Sequence, residues 1–159
     1  MTLPEPEFLE AHERRLVALA REFTRETRTE IPALWTDFWA RGWKLPGKEE
    51  QACYGVSYSV QPDGRFSYAV GLNIEPMPEA RPEGACVVTL LAGRYAVFRT
   101  RGSVREIPEL FDTIFGTWLP NSGEMQREGA VFERYPYEGG GSPDSMAYEI
   151  WVPVADRVD

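Results

Sequence analysis

The feature that most constrains this chain is a repeat within it. Residues 30–39 read EIPALWTDFW and residues 106–115 read EIPELFDTIF. Glu, Ile, Pro and Leu recur in order, and the remaining apolar positions match in type. Ile31, Leu34, Trp35 and Phe38 fall at i, i+3, i+4 and i+7, as do Ile107, Leu110, Phe111 and Ile114. That spacing predicts two amphipathic helices. Each Pro sits in a first turn, where its missing N–H costs nothing. Thr27 or Thr29 is a candidate cap for the first helix, and Ser103 with Glu106 forms a capping box before the second.

The flanks repeat as well. VALAREFTR from Val17 and YAVFRTRGS from Tyr95 read as strands entering a turn. After the first helix, Cys53 to Val60 alternates as a strand, Pro62-Asp63-Gly64 turns the chain, and Phe66 to Ile74 returns. After the second, Ala130 to Tyr137 is a strand, GGGSPD a loop, and Met146 to Val154 the return strand, so that Tyr68 aligns with Tyr148. A further short strand covers Cys86 to Leu91. Each unit is therefore strand, helix, strand, strand. The predicted class is α+β: one domain over 1–159, with a first repeat over about 14–76, a Pro/Glu-rich connector over about 77–85 and a second repeat over about 86–154. The expected architecture has pseudo-two-fold symmetry, antiparallel sheet with helices on one face, and a ligand cleft between the halves.

Alternation along the strands assigns faces. Tyr148, Ile150 and Val152 are expected against the helices, with Glu149 and Trp151 opposite. Phe132 is placed on the helix face, and Glu133 and Tyr135 on the other, beside Glu149 and Trp151. The equivalent positions of the first half, Gly55, Ser57, Ala69 and Gly71, are small. The reading is a wall of large side chains facing room for a guest, because glycine inside a strand marks a bulge or a close approach. The competing reading is a simply solvated second face.

Composition excludes several functions. The net charge is −8 and the pI about 4.8, with no Lys/Arg cluster, so direct nucleic-acid binding is not expected. No stretch is long enough to span a membrane and no leader is evident at the N-terminus. With Cys53 and Cys86 outside any CxxC pair, a cytoplasmic setting with free thiols is expected. The single histidine, His12, lies in a charged segment. It offers neither a metal site nor a partner for Ser57 or Ser59, and no cofactor is called for. The aromatic share of 13%, with five Trp, suits a flat organic ligand. The glycines at 139–141 are a hairpin tip or a lid, with no P-loop spacing.

Four ordered strings carry a resemblance: GRYAVFRTRG (93–102), TWLPNSG (117–123), VFERYP (131–136) and YEIWVPV (148–154). Together the chain resembles the GyrI-like small-molecule-binding domains, similar to the effector-binding domains of AraC-type and MerR-type regulators. The resemblance runs from about Arg14 to Val154. It implies the duplicated fold, and a cleft binding bulky, often cationic lipophilic compounds, as in multidrug binding. It also implies an acidic pocket residue at Glu133 and a second at Glu149. Some stand-alone members of the family open strained cyclopropane rings of DNA-alkylating compounds hydrolytically. Only about 13 residues precede the first strand, too few for a helix-turn-helix, so a stand-alone binder is expected.

Glu133 serves either as a cation's partner or, if burial lifts its pKa, as a general base on water. Nearby, Glu149 would split the pair into one acid and one base. Tyr135 and Trp151 are stacking candidates, and Trp39 and Trp118 rim candidates. Three functions stay open: sequestration or sensing of a hydrophobic or cationic compound, hydrolysis of a cyclopropane-type electrophile through Glu133-activated water, and a protein-interaction module such as a gyrase-binding protector. A protein partner or a homodimer is also left open.

Overall fold

The computed structural model describes residues 3–138, 141–142 and 144–156. Its strands are β1 (Glu7–Ala11), β2 (Arg14–Phe23), β3 (Lys48–Tyr58), β4 (Phe66–Glu75), β5 (Cys86–Leu90), β6 (Gly93–Gly102), β7 (Val131–Pro136), β8 (Gly141–Ser142) and β9 (Ser145–Pro153). All pairings are antiparallel, and the order is β1-β6-β9-β7-β3-β4-β2-β5, with β8 on β9. Outward from the central β7–β3 pair, the two sides run β9-β6 and β4-β2. Each side places its return strand next to the centre and its first strand outside it. The glycine tip at 139–140 lies outside the described residues.

Helix α1 (Ile31–Arg41) crosses between β2 and β3, and α2 (Ile107–Thr113) between β6 and β7. Both carry Pro in the first turn. A 3-10 turn precedes each helix: Arg28–Glu30 before α1 and Val104–Glu106 before α2. Ser103 caps the second, its Oγ accepting from the Arg105 N–H at 3.2 Å. Thr27 instead exchanges hydrogen bonds with Thr24. Gly42 ends α1 in the left-handed conformation at φ 57°, a role glycine fills without strain. Beyond α2 the chain widens into a π-helical stretch, Ile114–Trp118, before a short α3 (Leu119–Ser122). Pro120 provides no N–H for the Gly116 carbonyl four residues back, a local cause for this widening.

The sheet curls. β5 forms one edge, yet only Leu91 and Ala92 separate it from β6, one strand in from the other edge. Two residues bridge only about 10 Å, so the edges must approach. Two cores result. On the helix side, Leu34, Phe38, Leu110 and Ile114 pack with Leu19, Val70, Phe98, Tyr148 and Ile150. Inside the curl, Leu16, Tyr54, Val56, Leu90, Tyr95, Val97, Phe132 and Trp151 form the second. Arg14 lies in this second core, its guanidinium 4.9 Å from the Trp151 ring centre and 5.2 Å from that of Phe132.

Two sequence expectations change. The N-terminal segment is not only a charged lead-in: EFLEA pairs with β6 as the edge strand β1. Phe132 belongs to the curl's interior, not the helix face, and Glu133 and Tyr135 face the helices with Tyr148 and Ile150. Because the curl buries both faces, an apolar side chain on β7 does not mark the helix side.

Candidate functional site

Glu133 sits mid-strand in β7, directly opposite Gly55 of β3 and Ile150 of β9. It is 4% exposed. Its Oε1 accepts from the Tyr68 hydroxyl at 2.7 Å and from the Tyr135 hydroxyl at 3.0 Å. Trp35 of α1 donates its indole N–H to the Tyr68 oxygen at 3.2 Å, and its ring meets Tyr135 edge-on at 5.2 Å. Helix, β4 and β7 thus fix one carboxylate. Among the described residues no arginine or lysine forms an ion pair with it. Burial pushes the Glu133 carboxyl up to about 7, against the opposing pull of the two tyrosine hydroxyls. Burial, then the neighbouring carboxylate, drives both phenols well above their usual value. The acid–base capacity at neutral pH therefore rests on Glu133.

Gly55 explains how Tyr68 gets there. A Cβ at Gly55 would overlap the Tyr68 hydroxyl and lie 2.9 Å from Glu133 Oε1. The small residue makes room for the phenol that holds Glu133, not for the guest itself. Tyr68 was absent from the sequence's candidates, and the strand glycine opposite Glu133 was its signal.

A cavity of about 470 Å³ opens above this group between the two helix starts. Ser57, Phe66, Tyr68, Glu133 and Tyr135 line it from the sheet, with Ile31, Pro32, Ile107 and Phe111 from the helices. Arg28, Arg105 and Asp112, all exposed, complete its rim. A second hollow of about 390 Å³ adjoins it across Tyr135 and Val104, lined by Trp35, Trp39, Tyr137 and Met146. In its wall the Cys53 thiol is pushed up to about 12, chiefly by burial.

The expected site residues therefore separate. Glu133, Tyr135 and Ser57 line the larger cavity, Trp39 lines the adjoining hollow, and Gly55 lies beneath Tyr68. Glu149 and Trp151 face the curl's interior, so the carboxylate pair expected on one face does not form. Glu149 receives Arg134 at 3.3 Å, Arg99 at 3.2 Å and the Trp151 indole N–H at 2.9 Å. Gly71 also belongs to that interior, where a Cβ would meet Ala18 Cβ and the Val17 carbonyl at 2.9 Å. Trp118 packs edge-on against Phe98 at 5.0 Å. No group of three or more His, Cys, Asp or Glu among the described residues is arranged to hold a metal ion.

This buried carboxylate between two helix starts, beneath an apolar cavity, agrees with the match of residues 4–155 to the profile of the GyrI-like small molecule binding domain. The chain belongs to the GyrI-like family. Among its relatives, the transcriptional regulator BrlR of Pseudomonas aeruginosa is 31% identical over 128 residues, 78% of this chain and 46% of BrlR. The GyrI-like chain thus spans about half of that relative. Among solved structures, SAV2435 bound to tetraphenylphosphonium superposes with a TM-score of 0.74 at 20% identity, covering 95% of this chain and 94% of that one. A hydrolase from Listeria innocua superposes at 0.55 and 10% identity, covering 98% and 94%. Among the described residues no helix is long and apolar enough to cross a membrane.

Proposed function

We propose that this GyrI-like chain binds a bulky lipophilic organic compound bearing a cationic group, held against Glu133, and that it sequesters or senses that compound. The observation that carries the reading is a carboxylate 4% exposed with two phenols and, among the described residues, no cation as partners. An isolated buried charge is costly unless it is paired. A ligand cation would supply the missing partner, while the cavity's aromatic walls add about 0.5–2 kcal/mol for each well-placed ring. SAV2435, with tetraphenylphosphonium bound in the same fold, supports this ligand class. The test is tryptophan quenching on titration with tetraphenylphosphonium. Saturable binding that weakens at least about tenfold in Glu133→Gln, about 1.4 kcal/mol, is expected. Equal affinity in wild type and Glu133→Gln overturns the reading.

A second reading is favoured by one observation, the Glu133 carboxyl poised at about 7 beside two phenols. A general base works best with a pKa near the operating pH. Water would add its oxygen to an electrophilic ring carbon of a strained cyclopropane while Glu133 takes its proton. The ring bond's electrons would move onto the conjugated carbonyl, which then takes up a proton. The hydrolase from Listeria innocua shares the fold. Product formation from an activated cyclopropane that disappears in Glu133→Gln supports this chemistry, and turnover of that variant at the wild-type rate excludes it.

A further inference from the structure

The cavity is charged unevenly. Its floor holds one carboxylate, Glu133, whereas its rim holds two arginines and one aspartate. That rim runs against the whole chain, in which 25 acidic residues outnumber 17 basic ones. The two arginines come from the two 3-10 turns that lead into the helices, TRTEIP (27–32) and SVREIP (103–108). Where these otherwise matching segments differ, each turn places one guanidinium on the same opening.

Neither arginine is committed elsewhere. Arg28 is exposed, and its guanidinium has no ion pair or hydrogen bond among the described residues. Among the described residues the Arg105 guanidinium pairs with Asp144 alone, at 3.4 Å, with the two side chains 84% and 76% exposed. Pairs that open to solvent hold weakly, so Arg105 is free to turn to a guest. Asp112 is exposed on the same rim and pairs with neither. Lysines are absent from the lining, and guanidinium forks match carboxylates in a bidentate way.

We propose that the compound taken by this cavity is amphoteric: a cationic, flat aromatic body on Glu133 and a carboxylate or comparable acidic group reaching back to Arg28 and Arg105. The inference rests on the binding reading above and narrows its ligand class. An anion without a cationic end meets the floor carboxylate. A bare lipophilic cation leaves both arginines to water.

Rhodamine B and its ethyl ester make the comparison, because they share the cationic xanthylium and differ in a free carboxylate. Fluorescence anisotropy titrations are run above neutral pH, at low and at high salt. The wild type is expected to bind rhodamine B about fivefold more tightly than the ester at low salt, the scale of one or two exposed ion pairs, with the preference shrinking at high salt. In the double variant Arg28→Gln, Arg105→Gln, whose exposed positions leave the cores intact, the preference disappears while the ester's affinity holds or improves. Equal binding of the two dyes by the wild type, or a preference that survives in the double variant, overturns the proposal. If tetraphenylphosphonium still binds in a Glu133-dependent way, the binding reading stands and only the amphoteric ligand falls. If neither dye nor tetraphenylphosphonium depends on Glu133, both fall together.

Discussion

Glu133 and Glu149 lie on neighbouring strands and are nearly equally buried, at 4% and 7% exposure. They point to opposite faces of the curled sheet and live by different means. Glu149 sits in a ladder that crosses the interior face. Arg99, shared with Glu7 of the edge strand, and Arg134, shared with Glu50, both reach it. Glu50 in turn takes hydrogen bonds from Asn73 and Tyr54. Burial raises the Glu50 carboxyl, but Asn73, Arg134 and Tyr54 outweigh it and hold it below its ordinary value. Glu133 has phenols where these carboxylates have guanidiniums, and burial wins. The difference teaches that burial by itself does not identify a functional acid. A carboxylate matched by arginines is held by its own scaffold, whereas one without a cation keeps its charge unmet when it ionises.

The largest test of this contrast is Arg134→Leu. Removing the cation shared by Glu50 and Glu149 leaves two inward carboxylates short of charge, so about 3 kcal/mol of stability should be lost in urea denaturation. The Glu133 cavity, on the other face, should keep its affinity for tetraphenylphosphonium. Wild-type stability would mean that the interior carboxylates do not depend on arginine.

The pH dependence is of similar size and opposite in origin. Glu133 rises from an ordinary 4.5 to about 7 on folding, so the folded state holds its proton more tightly than the unfolded one. Its contribution to stability is fully present below about pH 4.5 and is lost as pH climbs through 7, about 3 kcal/mol in all. Denaturation curves for wild type and Glu133→Gln should therefore converge at the acid end and separate toward neutrality, the variant being the more stable there. Cation affinity runs the other way, growing as Glu133 ionises. A pH-independent gap between the two proteins would contradict the assignment.

The glycines sharpen the comparison at about 2 kcal/mol. Gly55→Ala and Gly71→Ala each force a Cβ into close contact and should cost stability of the kind overpacking brings. Only Gly55→Ala displaces the Tyr68 hydroxyl, so it alone should weaken tetraphenylphosphonium binding, by about tenfold. Equal binding losses would place Gly71 in the cavity after all.

The smallest effect is expected at Tyr148, which stands in β9 where Tyr68 stands in β4. Its hydroxyl is buried without a hydrogen-bond partner among the described residues. Tyr148→Phe should change stability by less than about 1 kcal/mol and can gain, whereas Tyr68→Phe removes a hydrogen bond to a carboxylate and should cost about 1.5–3 kcal/mol. Calorimetry on the two variants separates them.

Much of the frame was legible. The helices at Ile31 and Ile107, the strands around them and the 62–64 turn follow from local periodicity and turn residues. Strand β1 was not, because EFLEA is short, carries two charged residues in five and lies at an edge, where pairing asks little of the side chains. Glu133 and Tyr135 were expected on the face away from the helices and lie on the helix side instead. Phe132 reads as the inward residue of a half-buried strand only when a single face is covered, and here the curl covers both. Of the small residues expected to leave room for a guest, Ser57 lines the cavity and Gly55 gives its space to Tyr68.

By itself the sequence determined the two repeated helices, the strands around them and their order, because spacing, capping and turn chemistry act within a few residues. Only the tertiary structure decided which carboxylate is left, among the described residues, without a cation. Tyr68 is 65 residues from Glu133, and Arg134 is 84 from Glu50. Partners so distant meet only once β4, β3 and β7 lie side by side and the curl has given each face its own interior.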